Sequence, residues 1–316
     1  MNKKFIILPD VTCDLNKELR EKYDIEYIKG HISYPDGSEE KSSLEWEDCS
    51  YISEKSADAF FTELKRKPND FTTSPASVLE YYNKFEEYIL AGYDVLSMSI
   101  SSGLSGTYNF SVVAKEMIEE KYKDAKIYCF DTLRFGPGFG LMTIYASILR
   151  KEGKTIDEVY EYLTDIRYKF HQIGWLDDLS FVAAKGRISH AKAFMGNLIG
   201  IKPLGESDHT GLTTIIGKAK GEKSGLKAMI EYIKETAVNI NDQIIVIAHS
   251  MRLKQALKLK ELIEENFQPK EIYINEVHMS CGVNIGPGLL AAYYVGKPIS
   301  SGLEEEKQIL ANILAK

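Results

Sequence analysis

The 316-residue chain is poor in cysteine and has no excess of basic residues. Its four cysteines form no Cys-x-x-Cys pair, and its six histidines include no pair four residues apart, so we expect free thiols and no metal site. The 46 acidic residues outnumber the 39 basic ones and give a net charge of −7. Such a chain does not attract phosphate backbones in general, and we expect no nucleic acid partner.

Long hydrophobic runs are also absent. The first apolar run, residues 5–8, ends at Pro9 and is far too short for a membrane span or the core of a secretion signal. Because 44% of the residues are hydrophobic, the chain can still bury a substantial core. We therefore expect a soluble, cytoplasmic protein without an integral membrane segment.

Short apolar runs alternate with longer amphipathic segments, which is typical of parallel strands joined by crossover helices. Strands are predicted at residues 5–8, 95–100, 127–130, 212–217, 244–248 and 271–277. Helices are predicted at residues 76–90, 105–122, 136–150, 155–170, 222–238, 253–265 and 304–316. The polar stretch 37–67 interrupts this alternation and is predicted to be a surface excursion with some helix of its own.

The pattern in which short apolar runs and amphipathic segments alternate changes near residue 170. This change predicts two α/β domains, residues 1–170 with a mainly parallel sheet flanked by helices and residues 171–316 with a mixed sheet. In open α/β sheets, ligands bind at the carboxyl ends of the strands. The segment 10–15 follows the first strand directly and is a candidate for such a place, although a helix cap would use the same residue types.

Two hydroxyl-rich segments indicate an anion-binding site. Residues 72–75, Thr-Thr-Ser-Pro, precede a predicted helix, whose unpaired N–H groups and dipole favour an anion, although simple capping is the alternative. Residues 101–107, Ser-Ser-Gly-Leu-Ser-Gly-Thr, follow a predicted strand, and two glycines let a ligand approach the backbone closely. Neither segment requires a cofactor, and the glycine-containing segments 136–140 and 153–155 fail the spacing of dinucleotide and P-loop motifs.

The serines of segment 101–107 also allow a hydrolase interpretation. A Ser-dependent esterase would use Ser102 or Ser105 with a distant base, His249 or His278. The Gly-x-Ser-x-Gly pattern of the nucleophile elbow is absent, because the sequence around Ser105 is Gly-Leu-Ser-Gly. A site that only binds a carboxylate explains the hydroxyls with fewer assumptions.

In order along the chain, several motifs resemble those of the DegV family of bacterial lipid-binding proteins. The most specific are the Ser-Ser-x-Leu-Ser-Gly-Thr run at 101–107 and the Lys-Gly-Arg-Ile-Ser run at 185–189. The resemblance implies a two-domain α/β protein with a long-chain fatty acid buried between the domains and no other cofactor. It also implies a binding protein rather than an enzyme. Some members present the fatty acid carboxylate to a separate ATP-binding fatty acid kinase subunit.

Carried over residue by residue, the resemblance assigns the carboxylate to Thr73 and Ser102, with Ser101 and Asn284 in the same site. It adds possible support from Thr72, Thr12 and Gly286, and a contact of Arg187 with the kinase subunit. Three positions depart from the family pattern. Val11 replaces a hydroxyl residue, a Gln is missing before Pro75, and Asn284 stands where the family has His.

The exchange at Asn284 has a chemical consequence. A neutral amide can donate a hydrogen bond to a carboxylate, but it cannot become a cation or shuttle a proton. We therefore expect weaker affinity for the head group or weaker turnover with the kinase subunit. Besides fatty acid binding and the esterase, a third hypothesis keeps the fold but assigns it a different, lipid-like ligand.

Overall fold

The computed structural model describes residues 4–187 and 200–316. Within these ranges the chain alternates strands and helices along most of its length, as the sequence pattern predicts. The strands are β1 Phe5–Pro9, β2 His31–Ser33, β3 Glu39–Lys41, β4 Thr72–Ser74, β5 Asp94–Ser99, β6 Ile127–Asp131, β7 Phe170–Leu176, β8 Ile201–Ser207, β9 Thr213–Lys220, β10 Ile244–His249, β11 Glu271–Glu276 and β12 Leu289–Val295.

The helices connect and cover these strands. They are α1 Lys17–Tyr23, α2 Ala57–Arg66, α3 Val78–Leu90, α4 Thr107–Lys121, α5 Gly136–Lys151, α6 Ile156–Ile166, α7 Ser180–Ala184, α8 Gly221–Thr236, α9 Leu253–Asn266, α10 Met279–Ile285 and α11 Glu304–Leu314. Short 3₁₀ helices lie at Val11–Cys13, Trp46–Asp48, Arg167–Lys169, Ile240–Asp242 and Ser301–Leu303.

A parallel sheet in the order β1-β5-β6 forms the centre of the N-terminal part. Its strands are apolar on both faces because helices cover both sides. Val95 and Ile127 pack with α3 and α4, whereas Leu96 and Met98 face the core that includes α5 and α6. The predicted mainly parallel sheet flanked by helices is confirmed.

A second, small sheet in the order β3-β2-β4 lies in the same half and is antiparallel. It was not predicted. The neighbouring segment 37–67 does contain helix α2, which Ser56 caps by accepting from the N–H of Ala59. The segment is not only a surface excursion, because Phe60, Phe61 and Leu64 of α2 are fully buried in the main core.

The C-terminal part contains a six-stranded sheet in the order β11-β10-β12-β7-β8-β9. Strands β10 and β11 are parallel and the other pairs are antiparallel, so the predicted mixed sheet is confirmed. One face of this sheet packs against α8, α9 and α11. The division into domains at residue 170, where β7 begins, stays a prediction.

Several local predictions were wrong. The helix predicted at 155–170 ends at Ile166, since Phe170 begins strand β7. Helix α3 begins at Val78, where Ser77 and Glu80 form a capping box, and not directly after Pro75. Residues Thr72–Ser74 are therefore part of a strand and do not form an anion site at a helix N-terminus.

No helix in the described ranges is both long enough and apolar enough to cross a membrane. All four cysteines are free thiols, as predicted, and all four are buried.

Candidate functional site: a cavity between the sheets

The carboxyl ends of the three parallel strands come together through buried polar contacts. The Asp10 carboxylate, after β1, accepts from the backbone N–H of Ile100 at 2.8 Å and from that of Thr12 at 2.8 Å. Burial raises the pKa of Asp10, which is 4% exposed. These bonds fix the loop after β1 against the end of β5, and thereby one wall of a cavity.

The turn after β5 decides which of its serines face this cavity. The Ser101 carbonyl accepts from the N–H groups of Leu104 and Ser105 at 3.0 and 3.2 Å, so the chain reverses within four residues. The Ser101 side chain is fully buried and accepts from the N–H of Gly103 at 3.1 Å. Ser102 is exposed, and its N–H donates to Asp131 at 3.1 Å.

Ser105 is the serine of this turn that lines the cavity wall. Its hydroxyl lies 2.8 Å from that of Thr107, the first residue of α4. Neither Ser101 nor Ser102 lines the cavity, so this placement does not support a direct contact of either side chain with the head group. From the sequence, Ser105 is expected only as a possible esterase nucleophile.

The cavity has a volume of about 410 Å³, which is within the usual range of about 300–1,000 Å³ for small-molecule sites. It lies between the carboxyl ends of the parallel sheet and one face of the six-stranded sheet. Most of its wall is apolar, and the larger apolar side chains there include Ile28, Ile100, Leu104, Phe110, Phe135, Leu179, Ile215, Ile285 and Leu289.

The floor of the cavity is formed by alternate residues of the six-stranded sheet, because side chains along a strand point to opposite faces. Gly174 on β7 pairs with Gly205 on β8, and Ala291 on β12 is the partner of Gly174 on its other side. All three line the cavity. Their small size leaves room above the sheet, and at Gly174 an added Cβ would clash with the Leu290 carbonyl oxygen, so glycine is needed there for the close approach of β7 and β12.

A polar pair from two distant elements forms another part of the wall. Asn284, on α10, donates through Nδ2 to the Thr73 hydroxyl on β4 at 3.1 Å and to the Ser280 carbonyl at 3.1 Å. Both side chains are half-buried and line the cavity. The structure thus brings together two residues that the sequence analysis placed in one site.

Gly286 ends the helix that carries Asn284. It ends α10 with φ of 75°, a left-handed conformation that favours glycine, and its Cα lies so close to Phe181 of α7 that a Cβ would be 2.5 Å from the ring. It does not line the cavity, and its effect on Asn284 is through the backbone. Thr72, the other predicted supporting residue on β4, is exposed and also lies outside the cavity wall.

Thr12 and Arg187 complete the predicted set. Thr12 lines the cavity, but its hydroxyl and its N–H both donate to Asp10. Arg187 lines the rim, is exposed, and donates to the carbonyl of Lys185. Ile188 and Ser189, the last residues of its motif, lie outside the described residues.

The histidines considered for an esterase are elsewhere. His278 stacks on Trp46 with ring centroids 5.5 Å apart, and burial lowers its pKa to about 4. His249 is also buried, and burial lowers its pKa. Neither lines the cavity, and among the described residues no histidine bonds to Ser102 or Ser105. In these ranges no three His, Cys, Asp or Glu side chains are grouped so that they could hold a metal ion.

Fold and cavity together define an α/β protein that can enclose a small, mainly apolar molecule between two sheets. The family model described as "Uncharacterised protein, DegV family" matches residues 4–297, and the chain belongs to the DegV family. A DegV domain-containing protein of Clostridium perfringens is 35% identical over 294 residues, which cover 93% of this chain and 98% of that protein.

Solved structures of relatives share the fold. A DegV lipid binding protein from Thermotoga maritima is 25% identical with a TM-score of 0.79, over 93% of this chain and all of that one. A DegV family protein from Thermus thermophilus, described for its fatty acid binding, is 22% identical with a TM-score of 0.81, again over 93% of this chain and all of the other. The resemblance stated from the motifs is confirmed.

Proposed function

We propose that this protein binds a long-chain fatty acid in the cavity between the sheets. The observation that carries the proposal is the composition of the cavity wall. It is apolar except for a few side chains that can still form hydrogen bonds with a ligand. Each buried methylene of an acyl chain contributes about 0.8 kcal/mol to binding. The glycine and alanine floor accommodates the chain, and polar groups then fix only the head.

Thr73, Asn284 and Ser105 are the proposed head-group residues. Thr73 and Asn284 agree with the assignment from the family resemblance, whereas Ser105 replaces Ser102 because its hydroxyl lines the cavity. The lipid-binding and fatty-acid-binding relatives support the same class of ligand.

We further propose that the protein carries its ligand and does not itself catalyse a reaction on it. The serines at the cavity lack a histidine partner among the described residues, which favours binding over ester hydrolysis. A separate ATP-binding kinase subunit is the partner that the family resemblance implies. The exposed Arg187 at the cavity rim is available for such a contact.

The test is lipid extraction from the purified protein with organic solvent, followed by mass spectrometry, and uptake of stearate by the delipidated protein. We expect one fatty acid per chain. Ala291→Phe would place a ring above the sheet floor and reduce uptake at least tenfold, since it takes the space of several methylenes. Ala311→Phe, at an exposed position of α11, is the matched control and should bind normally.

Circular dichroism and urea unfolding of both variants show whether they fold. Wild-type protein that is free of lipid and takes up neither stearate nor palmitate would disprove the proposed function. Normal uptake by a folded Ala291→Phe variant would place the ligand elsewhere.

A further inference from the structure

The side-chain amide of Asn284 has a fixed orientation. Its Nδ2 lies 3.1 Å from the carbonyl oxygen of Ser280, and a carbonyl can only accept. Turning the amide over would set two oxygens against each other, so the nitrogen must be on this side. The second hydrogen of the same nitrogen goes to the Thr73 hydroxyl at 3.1 Å. Both donor hydrogens of Asn284 are thus used within the protein.

What remains for a ligand is one acceptor and one donor. No described residue donates to the Asn284 Oδ1 atom, and this atom belongs to a half-buried side chain of the cavity wall. Thr73 accepts from Asn284, so its own hydroxyl hydrogen is free to be donated. The bonded pair therefore offers a carbonyl oxygen and a hydroxyl hydrogen side by side.

This combination suits a neutral head group. A protonated carboxylic acid donates through its O–H to the amide oxygen and accepts through its C=O from Thr73, and a primary amide does the same with its N–H. A carboxylate has only acceptors and would be set against the Asn284 oxygen. The donor and acceptor pattern of this site is thus the reverse of one in which an amide offers its N–H groups to a carboxylate.

The charges around Thr73 and Asn284 also favour a neutral head group. Asp10 is the acidic residue of the described cavity wall, and an acid there does not attract a carboxylate. Burial raises the pKa of the Cys281 thiol and of the Tyr293 hydroxyl in the same wall, so both groups are neutral. Behind α10, Asp14 is buried with a raised pKa and His278 is neutral at pH 7.

Two cationic residues, Lys185 and Arg187, follow helix α7. Arg187 is exposed at the rim and donates to the Lys185 carbonyl. Lys185 donates to the Phe71 carbonyl at 3.1 Å, and burial lowers its pKa. Neither cation bonds to Thr73 or Asn284 among the described residues, so the polar pair itself includes no cation that would hold a carboxylate.

We propose that this site takes the acyl ligand with a neutral head group, as the protonated carboxylic acid or as the primary amide. The inference rests on the proposed function, since it concerns the same cavity. Fatty acid is then held best at low pH, whereas a fatty amide is held equally at all pH values at which the protein is folded.

The direct test uses palmitic acid labelled with ¹³C at the carboxyl carbon and bound to the whole protein. Its NMR shift reports whether the carboxyl group is protonated. We expect a titration midpoint above pH 7, against about 4.3 for a carboxyl group of similar chemistry in water. A bound ligand that is a carboxylate throughout pH 5–8 would overturn the inference.

A competition assay at pH 7.5 gives an independent readout. We expect palmitamide to displace a fluorescent acyl probe at least about a hundredfold more effectively than palmitate, because a bound midpoint above pH 7 against about 4.3 in water corresponds to more than two orders of magnitude in favour of the neutral head group. Asn284→His would add a donor and reverse this preference. Asn284→Ala removes the acceptor and should abolish the preference, and it provides the test if the histidine variant does not fold.

The outcomes separate the two levels of the hypothesis. Binding of neither palmitate nor palmitamide contradicts the proposed function itself. Binding of palmitate with exclusion of palmitamide leaves fatty acid binding intact and contradicts only the neutral head group.

Discussion

Two polar clusters of this protein differ in how fully they are bonded. The Glu206 carboxylate is completely buried and accepts from the N–H groups of Gln172 and Ser207, both at 2.8 Å, and from the Tyr232 hydroxyl at 3.1 Å. His171 Nδ1 lies 2.8 Å from the same carboxylate. Its Nε2 donates to the Lys297 carbonyl at 2.8 Å.

The pair of Thr73 and Asn284, by contrast, is half-buried and retains a free donor and a free acceptor at a cavity wall. Buried polar groups that are fully bonded hold a structure together, because leaving any one of them unpaired is costly. Polar groups with spare capacity at an apolar wall are suited to a ligand. The bonding state thus distinguishes the structural cluster from the proposed binding site.

The largest expected effect comes from breaking the Glu206 cluster. Glu206→Leu would leave two backbone N–H groups and the Tyr232 hydroxyl without their acceptor, and we expect a loss of about 3–5 kcal/mol in the free energy of unfolding. Glu206→Gln is the matched control, because its amide oxygen can still accept from Gln172 and Ser207. Urea unfolding measures both. Equal midpoints for the leucine variant and the wild type would show that the cluster is not structural.

His278 gives a test by pH. Burial lowers its pKa from 6.5 to about 4, so the folded state keeps it neutral while the unfolded state binds a proton below pH 6.5. Its contribution to stability is full above pH 6.5 and is lost as the pH falls towards 4, by about 3 kcal/mol. His278→Phe retains an aromatic ring against Trp46 and removes this loss.

The comparison of wild type and His278→Phe by urea unfolding between pH 7 and pH 4 isolates this group. The buried Asp10 and Asp14, whose pKa values are raised, act in the opposite direction in both proteins. We expect the variant to gain stability relative to the wild type as the pH falls. A constant difference across this range would mean that His278 is protonated in the folded protein.

The smallest effect distinguishes the two serines of the turn after β5. Ser105→Ala would remove a hydroxyl from the cavity wall and weaken stearate binding about two- to twelvefold, which corresponds to the loss of one hydrogen bond worth about 0.5–1.5 kcal/mol. Ser102→Ala changes an exposed side chain and should leave affinity within about twofold. Isothermal titration calorimetry measures both, and the opposite order would restore Ser102 to the head-group site.

The sequence predicted the parallel sheet well because its strands are short, continuous apolar runs, which are typical of strands buried on both faces. Strand β8 was missed, since Pro203 and Gly205 are unusual in a strand. Its ladder to β7 has only the pairs of Gly174 with Gly205 and Trp175 with Leu204, and so ends before Pro203, which lacks an N–H. The run Leu289–Val295 is apolar throughout and could have been recognised as β12.

The site was predictable only in part. Thr73 and Asn284 are 211 residues apart, and only the folded chain shows that they bond and that the amide hydrogens are consumed. The choice between Ser102 and Ser105 depends on a turn in which successive side chains follow neither strand nor helix periodicity. Motifs identified the segments, and the backbone determined which atoms face the cavity.

The sheet floor has a consequence for how this family can diversify. Gly174, Gly205 and Ala291 lie on β7, β8 and β12, whereas Thr73, Ser105 and Asn284 lie on β4, next to α4 and on α10. Under the proposed function, a larger residue at Ala291 would therefore change the length or shape of the acyl chain that fits without altering the groups that recognise its end, whereas at Gly174 an added Cβ would clash with the Leu290 carbonyl oxygen. Evolution can thus select chain length and head group at separate positions, and so independently of each other.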